Sequence, residues 1–335
     1  MPTGLTARPV EEADADRILE LFNARSRRLF GEDQSAAQDV EQWMQSPCFE
    51  LHVDSRLLLD SDGRAAAVAR VENPGEPYAV FGSAVSTHPM YERRPELWNS
   101  LYAWCDERIA ELVPLAAPDI RVAARGLAYA EDEPRRAALG RAGFQLLRVQ
   151  NRMRVDFSNP IAPPEWPDGI TVRTTDPAVE LDPLIRVYTE AWSDHWGYIE
   201  RPHHEVVASA KRQIQRDGKF HDPSLWFVAV EDGEIVGVCL CLSHVNRDTT
   251  RGYVNGLGVR PLWRKRGIGS ALLQHALCEF QSRGYAAVEL DMDSRNLTGA
   301  LHLYERAGMR VIRQLMRYEK VVRPGVDLAT RQLST

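Results

Sequence analysis

The chain has 335 residues, 44% of them apolar and 26% charged. That balance excludes a chain too polar to bury a core and makes two domains of roughly 150 residues each the length-based expectation. Its 41 lysines and arginines against 47 aspartates and glutamates leave a formal charge of -6, which gives no broad attraction to nucleic acid or to an anionic membrane.

The first residues contain no long apolar run, so neither a signal peptide nor a membrane span is expected. Five cysteines without a CxxC pair suit free thiols in a cytoplasmic protein. In chain order, residues 5–8 read as a short strand, and 13–29 and 38–44 as helices. Strands are expected over 56–59, 65–71 and 79–87, with Asp62-Gly63 as a turn signal between the first two. A helix over 97–112, a strand over 120–124, a helix over 134–141 and a strand over 144–155 follow. Prolines 160, 163, 164 and 167 then remove backbone donors and restrict torsions, which marks a stiff connector.

After the connector the same order of elements returns. A strand over 169–174 precedes helices over 178–193 and 204–216, and strands over 226–231 and 234–244 flank the hairpin signal Asp232-Gly233. A strand over 253–259 leads into a helix on which Ile268, Leu272, Ala276 and Phe280 recur every four residues, giving one apolar face. A strand over 286–290, a helix over 297–307 and a strand over 309–319 complete the pattern. A repeated order marks a repeated structural unit. The expectation is an α+β fold with a mixed sheet in each of two tandem domains: 1–157, a linker 158–168, 169–320, and a tail 321–335.

Local sequences carry the repeat too. Pro89-Met90-Tyr91-Glu92-Arg93-Arg94-Pro95-Glu96-Leu97 can be laid on Pro261-Leu262-Trp263-Arg264-Lys265-Arg266-Gly267-Ile268-Gly269. Ala138-Leu139-Gly140-Arg141-Ala142-Gly143-Phe144 falls on Leu303-Tyr304-Glu305-Arg306-Ala307-Gly308-Met309. In the second copy, Arg264 to Ser270 joins a strand to a helix. Glycines permit unusual torsions and close approach there, and a first helical turn offers unpaired N–H groups to an anion such as a pyrophosphate. A helix start with solvated charges is the plain alternative. The Gly-x-x-x-x-Gly-Lys-Ser/Thr loop and the full Gly-x-Gly-x-x-Gly set are both missing, which lowers NTP hydrolysis and dinucleotide redox chemistry in rank.

With Arg264, Gly267 and Gly269 in place, the segment resembles the signature of the GNAT acyltransferase superfamily: Arg or Gln, two residues, Gly, one residue, then Gly or Ala. The resemblance implies two GNAT-like domains and a cosubstrate, acetyl-CoA or another short acyl-CoA, with no metal. It implies that backbone groups around Arg266, Gly267, Ile268, Gly269 and Ser270 hold the pyrophosphate, to which the cationic side chains of Arg264, Lys265 and Arg266 add attraction. Gly256-Leu257-Gly258-Val259 resembles the splayed strand of the family, which implies the N–H of Leu257 or Val259 as the donor that polarises the thioester carbonyl. Asn296 and Tyr304 match the family's Asn and Tyr beside the cofactor, with Tyr304 as the acid for the departing thiolate. Core packing is the plain alternative for Leu257 and Val259, and a buried, hydrogen-bonded phenol for Tyr304.

The implied reaction is direct attack of a primary amine, on a small molecule or a peptide amino terminus. An ammonium with pKa of about 10 is a poor nucleophile, so a proton acceptor is sought. Glu289, in the alternating series Glu289, Asp291, Asp293, is the first candidate. Asp291 is kept with His195 and Trp196, from Trp192-Ser193-Asp194-His195-Trp196-Gly197-Tyr198, for the acceptor site; ordinary packing and helix capping are the plain alternatives. His203 and His204 complete no metal set. In the first copy Glu92, Pro95, Leu97 and Leu139 stand for Arg264, Gly267, Gly269 and Tyr304, so that domain is expected to fold without competent CoA binding or acid catalysis. A degenerate first domain with an intact second resembles the tandem GNAT enzymes of the mycothiol synthase type, which implies a monomeric pseudo-dimer; the charge balance and the lack of a long apolar run lead us to expect no nucleic-acid or membrane partner. A noncatalytic acyl-CoA-binding regulator is the competing reading; it would bind acyl-CoA and turn over no amine.

Overall fold

The computed structural model describes residues 3–46, 48–73, 75–218, 221–245, 248–294 and 300–329. The elements follow the expected order. The first copy contains β1 (Thr6–Arg8), α1 (Ala15–Phe30), α2 (Ala37–Met44), β2 (Ser55–Leu59), β3 (Ala65–Glu72), β4 (Val80–Thr87), α3 (Pro95–Leu112), β5 (Val122–Tyr129), α4 (Glu133–Arg141) and β6 (Gln145–Asp156). The second contains β7 (Thr171–Thr174), α5 (Pro177–Trp192), α6 (His203–Asp217), β8 (Trp226–Glu231), β9 (Glu234–Leu242), β10 (Arg251–Val259), α7 (Ile268–Ser282), β11 (Ala287–Asp293), α8 (Ala300–Arg306) and β12 (Arg310–Arg323).

The compact units do not follow the linear division. Unit 1 is Met1–Val149 with Gln314–Leu328, and unit 2 is Gln150–Arg313 with Ala329–Thr335. Residues 150–157 therefore belong with the second copy, and 314–320 with the first. Unit 1 has the strand order β1-β2-β3-β4-β5-β12, and unit 2 has β6-β11-β10-β9-β8-β7. In each, one parallel pair, β4 with β5 or β10 with β11, sits among antiparallel neighbours. The segment read as a stiff connector is fastened to α7: Gln274 Nε2 donates to the Ala162 carbonyl at 2.6 Å, Gln281 Nε2 to that of Asn159 at 2.8 Å, and Ile161 N–H to Gln281 Oε1 at 2.8 Å.

Charged strand residues explain why β5 and β11 run past their expected ends. Arg125 and Glu319 face each other across β5 and β12, with the guanidinium 3.2 Å from the carboxylate. Arg152 and Asp291 do the same across β6 and β11, at 2.5 Å. Paired charges are tolerated in a ladder where lone ones are costly.

Helices cover both faces of the unit 2 sheet. Leu272, Leu273, Leu277 and Phe280 of α7 pack with Cys239, Cys241, Val254, Val288 and Leu290 on one face. Leu184 and Val187 of α5 pack with Val228, Val238 and Leu240 on the other. Met153, on β6 before the prolines, is 1% exposed within the α7-side core. Met153→Ala should therefore destabilise unit 2 by about 2–5 kcal/mol, the cost of truncating a fully buried Met. Denaturant unfolding followed at the tryptophans of residues 192–263 checks this; an unchanged midpoint would contradict the unit boundary at Gln150.

Candidate active site

Among the described residues, half of β10 has only one strand partner. It pairs with β11 from Arg251 to Val254 and no further, while its other edge stays paired with β9 through Val259, past an irregularity between Val254 and Gly256. Arg260 N–H donates to the Val236 carbonyl at 2.9 Å. Antiparallel alternation then turns the peptide groups of 258 and 256 toward β9 and those of Leu257 and Val259 toward the side that β11 has left. The Val259 carbonyl is met there by Arg264 Nε at 3.1 Å.

Two glycines let aromatic rings lie on this stretch. A Cβ at Gly256 would come within 2.9 Å of the Tyr188 ring, and one at Gly258 within 2.9 Å of the Ala191 Cβ while running into Trp192. Tyr188 and Trp192 stack with centroids 4.1 Å apart and planes 15° apart, and His195 continues the stack at 5.8 Å and 27°. The side chains of Leu257 and Val259 point the other way, into the α7-side core. The opening between β10 and β11 thus has the α5 aromatics on one face and α7 with α8 on the other.

The turn before α7 is held by torsions. Lys265 has φ 63° and Gly267 φ 88°, and Gly267 is the N-cap residue. A Cβ at Gly267 would meet nothing nearer than 3.9 Å, so its conformation, not space, calls for glycine. Ala271 N–H is the first to bond back, to the Gly267 carbonyl at 3.0 Å, which leaves the N–H groups of Ile268, Gly269 and Ser270 without a helical acceptor.

The three expected phosphate-facing cations have separate settings. Arg264 turns inward, binding both oxygens of Asp194 and donating to the carbonyls of Ala191 at 3.0 Å and Val259 at 3.1 Å. Arg266 grips Glu231, which also accepts from Trp263 Nε1 at 2.6 Å; these donors hold the Glu231 carboxyl down at about 2. Lys265 is exposed and makes no ion pair among the described residues. What the turn leaves without an intramolecular acceptor among the described residues is therefore its backbone N–H groups and Lys265, while the side chains of Arg264 and Arg266 serve to fix it.

Tyr304 lies on α8, partly buried against the α7-side core. Its hydroxyl makes no hydrogen bond among the described residues, and burial pushes its pKa up to about 12. Asn296 lies outside the described residues. Glu289 is 2% exposed, with Oε2 3.2 Å from Arg152 and Oε1 3.0 Å from Arg251. This geometry does not suit a proton acceptor, because taking up a proton would break two charge-assisted contacts in a buried setting. Asp291 is similarly engaged: Arg152 approaches at 2.5 and 2.9 Å, and Tyr253 donates its hydroxyl at 3.0 Å beneath the Arg152 guanidinium, 4.9 Å from the ring centre.

Arg152 was missed in the sequence, since it stands before the prolines and outside every motif. The alternating acidic series was its only signal: a half-buried strand carrying Glu289 and Asp291 needs a cation on the neighbouring strand. His195 is half-buried, its Nδ1 3.4 Å from Asp194 Oδ1. Burial lowers the imidazole pKa, opposed by Asp194. Trp196 is partly buried in the same loop. Among the described residues no cluster of three or more His, Cys, Asp or Glu could hold a metal, and no helix is long and apolar enough to cross a membrane.

The corresponding positions of unit 1 are built differently. Pro95 occupies the first turn of α3, Glu92 is paired with Arg28 at 2.7 Å, and Leu139 is fully buried with a methyl group against Gly126. Arg25 of α1 pairs with Asp132 at the start of α4.

Residues 184–309, all within unit 2, match the model of the Acetyltransferase (GNAT) family. The mycothiol acetyltransferase of Thermobispora bispora is 30% identical over 264 residues, spanning 76% of this chain and 80% of that protein. That of Salinispora arenicola is 30% identical over 252 residues, spanning 74% and 75%. A GCN5-related N-acetyltransferase from Sphaerobacter thermophilus superposes with a TM-score of 0.82 at 30% identity, covering 99% of this chain and 100% of that one. A tandem GNAT protein from the clavulanic acid biosynthesis pathway shares the fold, with a TM-score of 0.74 at 14% identity and coverage of 96% and 100%. The chain belongs to the GNAT family, with the tandem architecture of its relatives, and is an acyl-CoA-dependent N-acetyltransferase that acts on an amine acceptor.

Proposed function

We propose that unit 2 transfers an acetyl group from acetyl-CoA to the primary amine of a small molecule by direct attack in the opening between β10 and β11. The observation that carries this reading is the edge of β10 at Leu257 and Val259, which has no strand partner among the described residues. The N–H groups of 268–270 hold the pyrophosphate, assisted by Lys265, and the pantetheine arm takes the place of the missing strand partner. Leu257 or Val259 N–H then donates to the thioester oxygen, more strongly as it becomes an oxyanion.

The two faces of the opening divide the work. The amine approaches from the side of Tyr188, Trp192 and His195, and the thiolate departs toward Tyr304. With its pKa near 12, Tyr304 is a far weaker acid than a thiol of about 8.5. Its part is to donate a hydrogen bond to the sulfur as charge develops, while the proton that finally rests there comes from the amine. The relatives are mycothiol acetyltransferases, which makes an amine of that acceptor class the first to assay. The described cysteines form no disulfide, which suits a reducing cytoplasm.

Gly267→Pro should weaken acetyl-CoA binding at least tenfold, because proline cannot take φ 88°; calorimetric titration with acetyl-CoA reads this, and unchanged affinity would overturn the proposed phosphate site. Tyr304→Phe should lower kcat by about 10 to 150-fold, the worth of one hydrogen bond to a charged group, with acetyl-CoA affinity kept. Since the raised pKa keeps the phenol protonated, its donor is fully present below about pH 10 and is lost as pH rises through about 12. The wild-type kcat should accordingly show no loss attributable to Tyr304 on going from pH 7 to pH 9.

A further inference from the structure

With Glu289 and Asp291 both engaged by arginines, the amine's proton needs another acceptor. We propose that His195 is that acceptor, with Asp194 and Arg264 as the positioning residues that hold it against the reacting strand. This rests on the acetyl-transfer reading above and deepens it.

The first support is placement. Trp192 lies on Gly258, whose chain neighbours Leu257 and Val259 carry the two peptide groups facing the opening, and the His195 ring stacks on Trp192 at 5.8 Å. Its main chain is pinned as well: His195 N–H donates to the Trp192 carbonyl at 2.9 Å, and the His195 carbonyl accepts from Tyr198 N–H at 3.1 Å. A ring held by a stack and by its own backbone has a fixed setting beside Trp192, the residue that covers the reacting strand at Gly258.

The second support is the chain of contacts behind the ring. Nδ1 is buried, has no hydrogen-bond partner among the described residues, and lies 3.4 Å from Asp194 Oδ1. Arg264 binds both oxygens of that carboxylate and keeps it ionised, lowering its pKa. A small rotation turns the Nδ1 contact into an N–H donation to Asp194, which leaves Nε2 as the acceptor. Arg264 also meets the Val259 carbonyl and stands next to the phosphate turn. One guanidinium thus ties together the strand, the turn and the residue behind the imidazole.

The charged groups acting on His195 are Asp194 from its own loop, Arg264 from the turn before α7 and Asp293 from the end of β11. Burial outweighs the two carboxylates and sets the imidazole below its ordinary value, so it is neutral at physiological pH. His203 is not part of this group; it pairs with Asp182 at 2.8 Å.

The step balances without a co-reactant. The neutral amine forms its N–C bond as the carbonyl π pair moves to oxygen. The attacking nitrogen, now cationic and much more acidic, passes a proton to His195 Nε2. The C–S bond breaks as the carbonyl re-forms, and the proton is delivered to the thiolate, returning the imidazole to its neutral state.

His195→Gln tests this, with acetyl-CoA titration and pH profiles run beside the wild type. The proposal predicts a fall in kcat/KM of about 10²- to 10⁴-fold, acetyl-CoA affinity within about twofold of wild type (a ratio that costs about 0.4 kcal/mol), and loss of the acid limb below about pH 6.5. Asp194→Asn should move that limb to lower pH, and the His195 ring signal in an NMR titration should move with it. An unchanged rate and acid limb in His195→Gln would overturn the base assignment. So would an equal loss of acetyl-CoA affinity, which marks a purely structural role. A wild-type chain that releases no CoA with any amine would overturn the transfer reading itself, an outcome distinct from either.

Discussion

The parting of β10 from β11 after Val254 is the constraint on which unit 2 depends. A backbone donor or acceptor left unmade in a closed setting costs about 1–3 kcal/mol, so a strand paired on one edge only is stable where water or a ligand completes it. A polar, extended pantetheine arm is such a partner. The Val259 carbonyl is already covered by Arg264, whereas the N–H groups beside it are directed toward the opening. On the proposed reading, binding the donor and polarising its carbonyl are two uses of the same edge.

Charge placement keeps that edge open. Arg152 and Arg251 bind Glu289, and Arg152 with Tyr253 binds Asp291. These contacts bring β6, β11 and the paired half of β10 together on the face that also carries the α5 aromatics. Arg264 does the equivalent work at the far end of β10, where it joins Val259 to Ala191 and Asp194. A gap between strands persists when each strand is anchored elsewhere, and here each is anchored by guanidinium groups. Replacing one arginine would leave buried carboxylates uncompensated, which is costlier than the loss of the pair itself.

Much of this was legible in the sequence because local chemistry dictates it. Gly267 has the left-handed torsion that a turn into a helix N-terminus needs, and the apolar period of Ile268, Leu272, Ala276 and Phe280 is the buried face of α7. Gly256 and Gly258 were visible as glycines, but the reason for them, aromatic rings lying on the strand, depends on α5 and is a tertiary fact. The same holds for Arg264, which reads as a phosphate ligand in a motif and turns out to point inward. The unit boundary was illegible for a further reason: prolines 160–167 look like a connector, yet Met153 ahead of them is core to unit 2. Pairing across strands distant in sequence decides that, and local pattern does not report it.

Unit 1 has the same order of elements with different residues at the matching positions. Pro95 enters the helix where Gly267 would cap it, Leu139 fills the position of Tyr304 with a buried apolar side chain, and Arg25 joins α1 to the start of α4 through Asp132. The fold survives because its core periodicity is intact. The claim most central to this account is that acetyl-CoA completes the open edge of β10, and residue-resolved amide hydrogen exchange with and without saturating acetyl-CoA tests it most directly. The account predicts slowed exchange at Leu257 or Val259 and at residues 268–270 together; unchanged exchange at all of these with the ligand bound would contradict it.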